Sequence, residues 1–177
     1  VAPAVFGGAT VSWMNEETSE VGSVRLTPPE GINPVAFIPD FELRTAAARA
    51  ALPATVPHGD ASFNVARGAL LAAVLSGGAQ VSGGADLHAL LMEATRDRLH
   101  QEQRRAAMEP SLALVDWLRG AGFAAVVSGA GPTVLSLEKV GADIRRDAAG
   151  AGWRVVPLAV AASGVQITRG SLAKVEF

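Results

Sequence analysis

Ala124-Ala125-Val126-Val127-Ser128-Gly129-Ala130-Gly131-Pro132-Thr133-Val134-Leu135-Ser136-Leu137 reads as an apolar strand, a six-residue turn and a second apolar strand. Val126, Val127, Val134 and Leu135 are β-formers suited to a buried sheet. Gly129 and Gly131 allow positive φ or close backbone approach, and Pro132 fixes φ and gives up a donor. Such a turn can aim successive N–H groups at an anion, or press bare backbone against a neighbouring loop. It can also be a hairpin with no ligand. It is not a P-loop, because no Gly-Lys-Ser/Thr occurs and a strand stands where a helix would be required.

Working outward, helical and strand patterns alternate around this hairpin. Upstream, Ser111 is read as the cap of a helix running to Arg119 and stopped by Gly120 and Gly122. Before it come a polar loop over 101–110 and an amphipathic helix over 87–99. A longer helix, with Asp60 as N-cap, runs through Leu75 and stops at Gly77-Gly78. A short helix over 44–52 ends at Pro53 and places Thr45 and Arg49 on one face. Val35-Ala36-Phe37-Ile38-Pro39 is a short buried strand. Thr27-Pro28-Pro29-Glu30-Gly31 is a stiff linker and the best boundary candidate. Strands are expected over 9–13 and 24–26, after a helix end over 1–6.

Downstream come a helix over 142–149 and a strand over 153–160. A last edge strand is expected over 165–169, with a frayed tail beyond. From residue 34 the order is strand, helices, strand-turn-strand, helix, strand. That order predicts an α+β fold, a two-layer ferredoxin-like sandwich with helices on one face.

The totals exclude several classes. A length of 177 residues supports one domain with a real core, or one domain plus a fragment. Net charge is −2 with 18% charged residues, so no polybasic field exists for nucleic acid or anionic lipid. No cysteine occurs, which excludes disulfides and thiolate metal sites and is compatible with a cytoplasmic protein. No apolar run reaches the ~18 residues of a membrane span. The chain opens at Val1 directly in an apolar stretch, which reads as a cut edge with more chain upstream.

Three histidines, His58, His88 and His100, lack metal-ligand spacing, and His88 reads as ordinary surface. No Gly-x-Ser-x-Gly elbow or Ser-His-Asp set occurs. Asp40, Asp60 and Asp97 sit where a cap or turn acid would. The arginines carry more: Arg49, Arg104 and Arg105 lie beside loops, and a guanidinium gripping a carboxylate or phosphate is their usual functional use, solvated surface their usual structural one.

Together these stretches resemble the C-terminal part of the homoserine kinases, a branch of the GHMP small-molecule kinases. Ser128-Gly129-Ala130-Gly131-Pro132-Thr133 resembles the superfamily's third motif. Thr45-Ala46-Ala47-Ala48-Arg49-Ala50-Ala51-Leu52-Pro53 resembles a Thr-x-x-x-Arg-x-x-Leu-Pro helix, and His58 to Asn64 resembles the segment after it. Asp97-Arg98-Leu99-His100-Gln101-Glu102-Gln103-Arg104 resembles Asp-x-x-His-x-Pro-x-Arg, with Glu102 in place of proline. The opening Val-Ala-Pro-Ala-Val-Phe-Gly-Gly resembles the stretch just after a His-Pro-Asp-Asn segment in that family. The Pro-x-x-x-Gly-Leu-Gly-Ser-Ser stretch that holds nucleotide in the superfamily is absent.

The resemblance implies a GHMP kinase C-terminal domain over 32–170, a remnant of the N-terminal nucleotide-binding domain over 1–31 and a tail over 171–177. It implies ATP-dependent phosphorylation of the L-homoserine hydroxyl, in threonine biosynthesis. Thr45, Arg49 and Arg104 would bind the substrate, and Ser128, Gly129, Ala130, Gly131, Pro132 and Thr133 would support the phosphate loop. ATP and Mg²⁺ would be bound mainly by the missing N-terminal kinase domain. No catalytic base is named, and the 177-residue chain alone is expected to be inactive. A homo-oligomer is implied. Gly131→Val is expected to cut activity while leaving the fold largely intact. Two alternatives stay open: a non-catalytic amino-acid-binding module, and a GHMP kinase for another alcohol.

Overall fold

The computed structural model describes residues 7–77 and 86–165. In chain order the elements are β1 (Ala9–Met14), β2 (Val21–Leu26), β3 (Val35–Ile38), α1 (Thr45–Ala50), α2 (His58–Leu75) and α3 (Leu87–Ala94). A 3₁₀ helix (Glu102–Ala107) leads into α4 (Glu109–Gly120), β4 (Ala125–Val127), β5 (Val134–Ser136), α5 (Ala142–Gly150) and β6 (Arg154–Pro157).

β4, β5, β3 and β6 form one antiparallel sheet in that order. Taken from β3, the path is strand-helix-strand-strand-helix-strand with the first and third strands central. That is the ferredoxin-like arrangement read from the sequence. α1, α2, α3 and the 3₁₀ helix are an insertion between the first strand and its helix. Among the described residues β1 and β2 pair only with each other.

The register explains the two faces of the sheet. Val35, Phe37, Val127 and Val134 point to one side, where Leu112, Val115 and Leu118 of α4 and Ala148 of α5 bury them. Phe37 and Leu118 are fully buried, each stabilising by about 1.5–3 kcal/mol relative to exposure. Ala36, Val126, Leu135 and Val156 lie across from one another on the other face. α2 and α3 build a second, smaller core around Val74, Leu91 and Ala124, so not all helices share one layer.

β4 is an edge strand, and side chains close its edge. Gln101 Oε1 accepts from Val127 N at 2.7 Å, and Arg119 Nη1 donates to Ala125 O at 3.2 Å. An open edge would invite pairing with another chain.

Several boundaries differ from the sequence reading. α2 begins at His58 after Pro57, so Asp60 is a first-turn acid and not the N-cap. α3 stops at Ala94, because Asp97 draws the following N–H groups to its own carboxylate. The expected polar loop holds the 3₁₀ helix. Ser111 lies inside α4, buried, and its hydroxyl reaches Pro132 O at 2.6 Å instead of capping. β2 is longer and β6 shorter than read. The helix end over 1–6 and the tail lie outside the described residues, as does the last edge strand read over 165–169 apart from Val165, which is in no strand.

Candidate functional site

The hairpin turn is held from both sides. Gly129 and Gly131 take φ of +61° and +85°, a region that favours glycine. Two of the turn's N–H groups are spent inside it: Ser128 N donates to Thr133 O at 2.8 Å and Gly131 N to Ser128 O at 3.0 Å. Its carbonyls reach outward. Gly129 O accepts from Arg104 Nη1 at 3.2 Å, and Pro132 O accepts from Ser111. A Cβ on Gly131 would stand 2.7 Å from Met108 Sδ, so Gly131 is pressed onto the chain's own core. A Cβ on Gly129 would meet nothing within 4 Å. Of the two uses read for this turn, the first glycine's face is open to an approaching loop and the second's is taken.

Arg104 is the centre of the arrangement. It is 8% exposed, yet no carboxylate neutralises it. Its Nε donates to Ala48 O of α1 at 3.2 Å while Nη1 holds Gly129 O. A guanidinium has five N–H donors, and these bonds use two. Nη2 has no partner among the described residues. The same residue therefore joins the Thr45–Arg49 helix to the glycine turn.

Thr45 opens α1 and Arg49 lies one turn on, both exposed, with Ala48 between them buried. The Arg49 side chain makes no hydrogen bond or ion pair among the described residues. Its neighbour in kind, Arg105, is different again: half-buried, and paired with Glu102 at 2.6 Å and Asp116 at 2.9 Å.

Asp97 knots the loop that carries Arg104. Its oxygens accept from Asn64 Nδ2 at 2.6 Å, His100 N at 2.8 Å and Gln101 N at 2.6 Å, and His100 Nδ1 lies 3.0 Å away. Burial works to raise its pKa, but the bonds from Gln101, Asn64 and His100 outweigh it and hold the carboxyl at about 2. Asn64 Oδ1 also accepts from Arg98 N at 2.9 Å, and Asp60 pairs with Arg98 at 3.3 Å. So the 58–64 segment docks on the 97–104 segment, and Arg104 then docks on α1 and on the turn. Four stretches far apart in sequence form one bonded network.

Sequence reasoning missed Gln101, Ser111 and Arg119. Each acts through a long-range bond to main chain, which no local pattern announces. His88, read as surface, pairs with Glu138 at 2.8 Å, and Glu138 in turn accepts from Ala124 N. Among the described residues no group of three His, Asp or Glu stands close enough to hold a metal ion. No helix among them is long and apolar enough to cross a membrane.

The family model described as GHMP kinases C terminal matches residues 70–150. The homoserine kinase of Streptomyces avermitilis is 43% identical over 168 residues, covering 94% of this chain and 52% of that protein. That of Clavibacter michiganensis is 44% identical over 137 residues, covering 77% of this chain and 40% of that protein. The chain thus spans about half the length of the relatives it matches. The crystal structure of a homoserine kinase from Cytophaga hutchinsonii superposes with a TM-score of 0.75 at 20% identity, over 93% of this chain and 52% of that one, a likeness of fold. The chain carries a GHMP kinase C-terminal domain and is similar to homoserine kinases over about half of their length.

Proposed function

We propose that this GHMP kinase C-terminal chain is the amino-acid-gripping part of an ATP-dependent L-homoserine kinase. The observation that carries the reading is the Arg104 bridge, which ties the helix bearing Thr45 and Arg49 to the glycine turn. Arg49 and the free Nη2 of Arg104 hold the substrate carboxylate, with Thr45 hydrogen-bonding beside them. A short zwitterion offers few other handles, and two guanidiniums on one carboxylate fix direction as well as charge. Gripping that end sets the distance and line of the hydroxyl, and positioning is most of what phosphoryl transfer requires from a protein.

The turn over 128–133 braces a phosphate loop through the open face of Gly129. It does not itself suit a triphosphate, since the N–H groups of Ser128 and Gly131 are spent internally. The described residues offer no carboxylate set for Mg²⁺. In this reading ATP and Mg²⁺ are bound by an N-terminal kinase domain, the partner it requires. The whole enzyme is a cytoplasmic homo-oligomer of threonine biosynthesis, and this chain supplies no catalytic base.

The test is reconstitution. The 177-residue chain alone should consume no ATP in response to homoserine. Adding a separately expressed N-terminal half of a related homoserine kinase should restore consumption. Homoserine-dependent turnover by the chain alone would end this division of labour. Tight homoserine binding by the isolated chain would favour an amino-acid-binding module instead.

A further inference from the structure

A cavity of about 430 Å³ lies between α2, residues 94–104 and β4. That is the size of a small-ligand pocket. Arg104 forms part of its wall and is shared with the carboxylate clamp proposed above, but Thr45 and Arg49 do not line it, so the rest of the cavity lies outside that clamp.

Its chemistry is amphiphilic. Leu71 and Leu75 of α2, with Val126 and Leu137 of the hairpin, give it an apolar floor. Arg67, Arg96 and Arg104 stand around that floor. Asp97 is the carboxylate in the lining, and its oxygens already accept from Asn64, His100 and Gln101. Glu93, outside the lining, pairs with both Arg67 and Arg96. Three guanidiniums against these two carboxylates leave one positive charge, which suits a monoanion.

Two further observations point to an occupant. Arg67 stacks on Phe63 at 3.8 Å and pairs with Glu93, yet its Nε is buried with no acceptor among the described residues. Buried N–H groups nearly always have one. Gly68, in the middle of an 18-residue helix, lines the same cavity. A Cβ there would meet nothing within 4 Å, so the chain's own packing does not require glycine. Helix propensity argues against glycine at such a place. Its effect is to keep the cavity wall open.

We propose that this cavity is a second ligand site, for a small monocarboxylate with a branched apolar body. The body lies on Leu71, Leu75, Val126 and Leu137, and the carboxylate meets the Arg67 and Arg96 side chains that line the same space. No covalent step is involved. The site needs only this chain, so it stands apart from the kinase reading.

Calorimetric titration of the 177-residue chain tests it, with 4-methylpentanoate as the probe. Saturable binding is expected, at least tenfold tighter than for 4-methylpentanamide, which lacks the charge, or acetate, which lacks the body. Gly68→Trp should fill the cavity and abolish binding without lowering Tm. Gly68→Ala should keep binding and raise Tm. Arg67→Met should weaken 4-methylpentanoate binding to the level of the amide. The proposal is overturned if 4-methylpentanoate does not saturate, or if Gly68→Trp binds it as the parent does. Tighter binding of inorganic phosphate overturns it too. So does homoserine binding that Gly68→Trp removes, since the cavity would then be the substrate pocket. A null titration leaves the clamp at Arg49 unaffected.

Discussion

Arg104 and Arg119 are both arginines drawn into the protein, and both end on main-chain carbonyls without a carboxylate partner. Arg119 sits in the last turn of α4, half-buried, and has both terminal nitrogens engaged. Its Nη1 reaches Thr95 Oγ1 at 2.9 Å and Ala125 O at 3.2 Å, and Nη2 reaches Met92 O at 2.7 Å. Burial, with Arg96 nearby, draws its pKa down. Arg104 is more deeply buried, yet spends only Nε and Nη1 and keeps Nη2 in reserve. Taking a guanidinium out of water is costly unless its donors are satisfied. At Arg119 that condition is met by structure alone. At Arg104 it is met in part, at the point where the glycine turn and the Thr45–Arg49 helix meet. One is a finished strut, and the other is a strut with donors left over for a ligand.

The largest effect should come from breaking what Arg104 holds. Gly131→Val puts a β-branched residue at a φ of +85° and drives its Cβ against Met108. Strain and overpacking together should cost about 3 kcal/mol or more. The expectation of an intact fold is therefore revised: the bulk strikes the domain's own core before it could reach another loop. Gly129→Ala is the cleaner probe, since space is open there and only the φ of +61° opposes it. It should cost about 1 kcal/mol. Denaturant unfolding of the two variants checks the ranking, and equal losses would show that Met108 yields freely.

Next in size is the direct comparison. Arg119→Met and Arg104→Met each strand carbonyls that had a charged donor, so each should lose about 2–3 kcal/mol of stability. The two should part in a kinase that contains this chain. Arg104→Ala should lower kcat/KM for homoserine by about 10- to 150-fold, with KM for ATP little changed. Arg119→Met should leave KM for homoserine alone once the folded fraction is counted. Arg49→Ala should resemble Arg104→Ala, and the pair should fall short of additive because both hold one carboxylate. If Arg104→Ala only lowers Tm, it is a second Arg119 and the clamp is wrong.

The same two arginines mark where the sequence was readable. The β4–turn–β5 hairpin was legible because glycines and β-formers stand next to one another, and local geometry follows from neighbours. The helix-strand order was legible for the same reason, and with it the ferredoxin-like class. Asp97 was legible only as a turn acid. That it ends α3 early depends on Asn64, distant in sequence, helping to hold it in place. Ser111 was misread because the helix starts two residues earlier, at Glu109, which leaves its hydroxyl to donate to Pro132 O. The burial of Arg104 was not legible at all. A lone arginine in a polar stretch is ordinarily solvated, and only the fold brings Ala48 O and Gly129 O to it.

A smaller effect concerns the knot that sets the Arg104 loop. The folded pKa of Asp97, at about 2, lies below the ordinary aspartate value of 3.8. The folded state therefore favours the ionised form, and this contribution is fully present above about pH 4. It is lost as pH falls from about 4 towards 2, when protonation weakens the bonds from Asn64, His100 and Gln101. With allowance for solvent screening of a part-exposed group it is worth about 1–2 kcal/mol. Asp97→Asn should remove that part of the acid dependence and lower stability at neutral pH. Chemical denaturation at about pH 7 and pH 3 would show it, and parallel losses in parent and variant would clear Asp97 of the role.

The smallest effect is predicted where the bonds look strongest. Arg105 makes two contacts to Glu102, at 2.6 and 2.8 Å, and one to Asp116 at 2.9 Å, and these carboxylates raise its pKa. Arg104 makes two neutral contacts at 3.2 Å. Counting bonds would place Arg105 first. Solvent reverses the order. Glu102 and Asp116 are 64% and 61% exposed, so water and salt replace most of what each pair offers, and such pairs are worth about 0–1 kcal/mol. Removing Arg105 strands no buried group, whereas removing Arg104 strands the Ala48 carbonyl in a buried contact and frees that of Gly129. Arg105→Ala should shift unfolding by less than about 0.5 kcal/mol and leave homoserine kinetics unchanged. Raising salt should erase even that shift. If Arg105→Ala is the damaging change and Arg104→Ala the silent one, the assignment is off by one residue, and Glu102, where related segments carry proline, is where the register would have slipped.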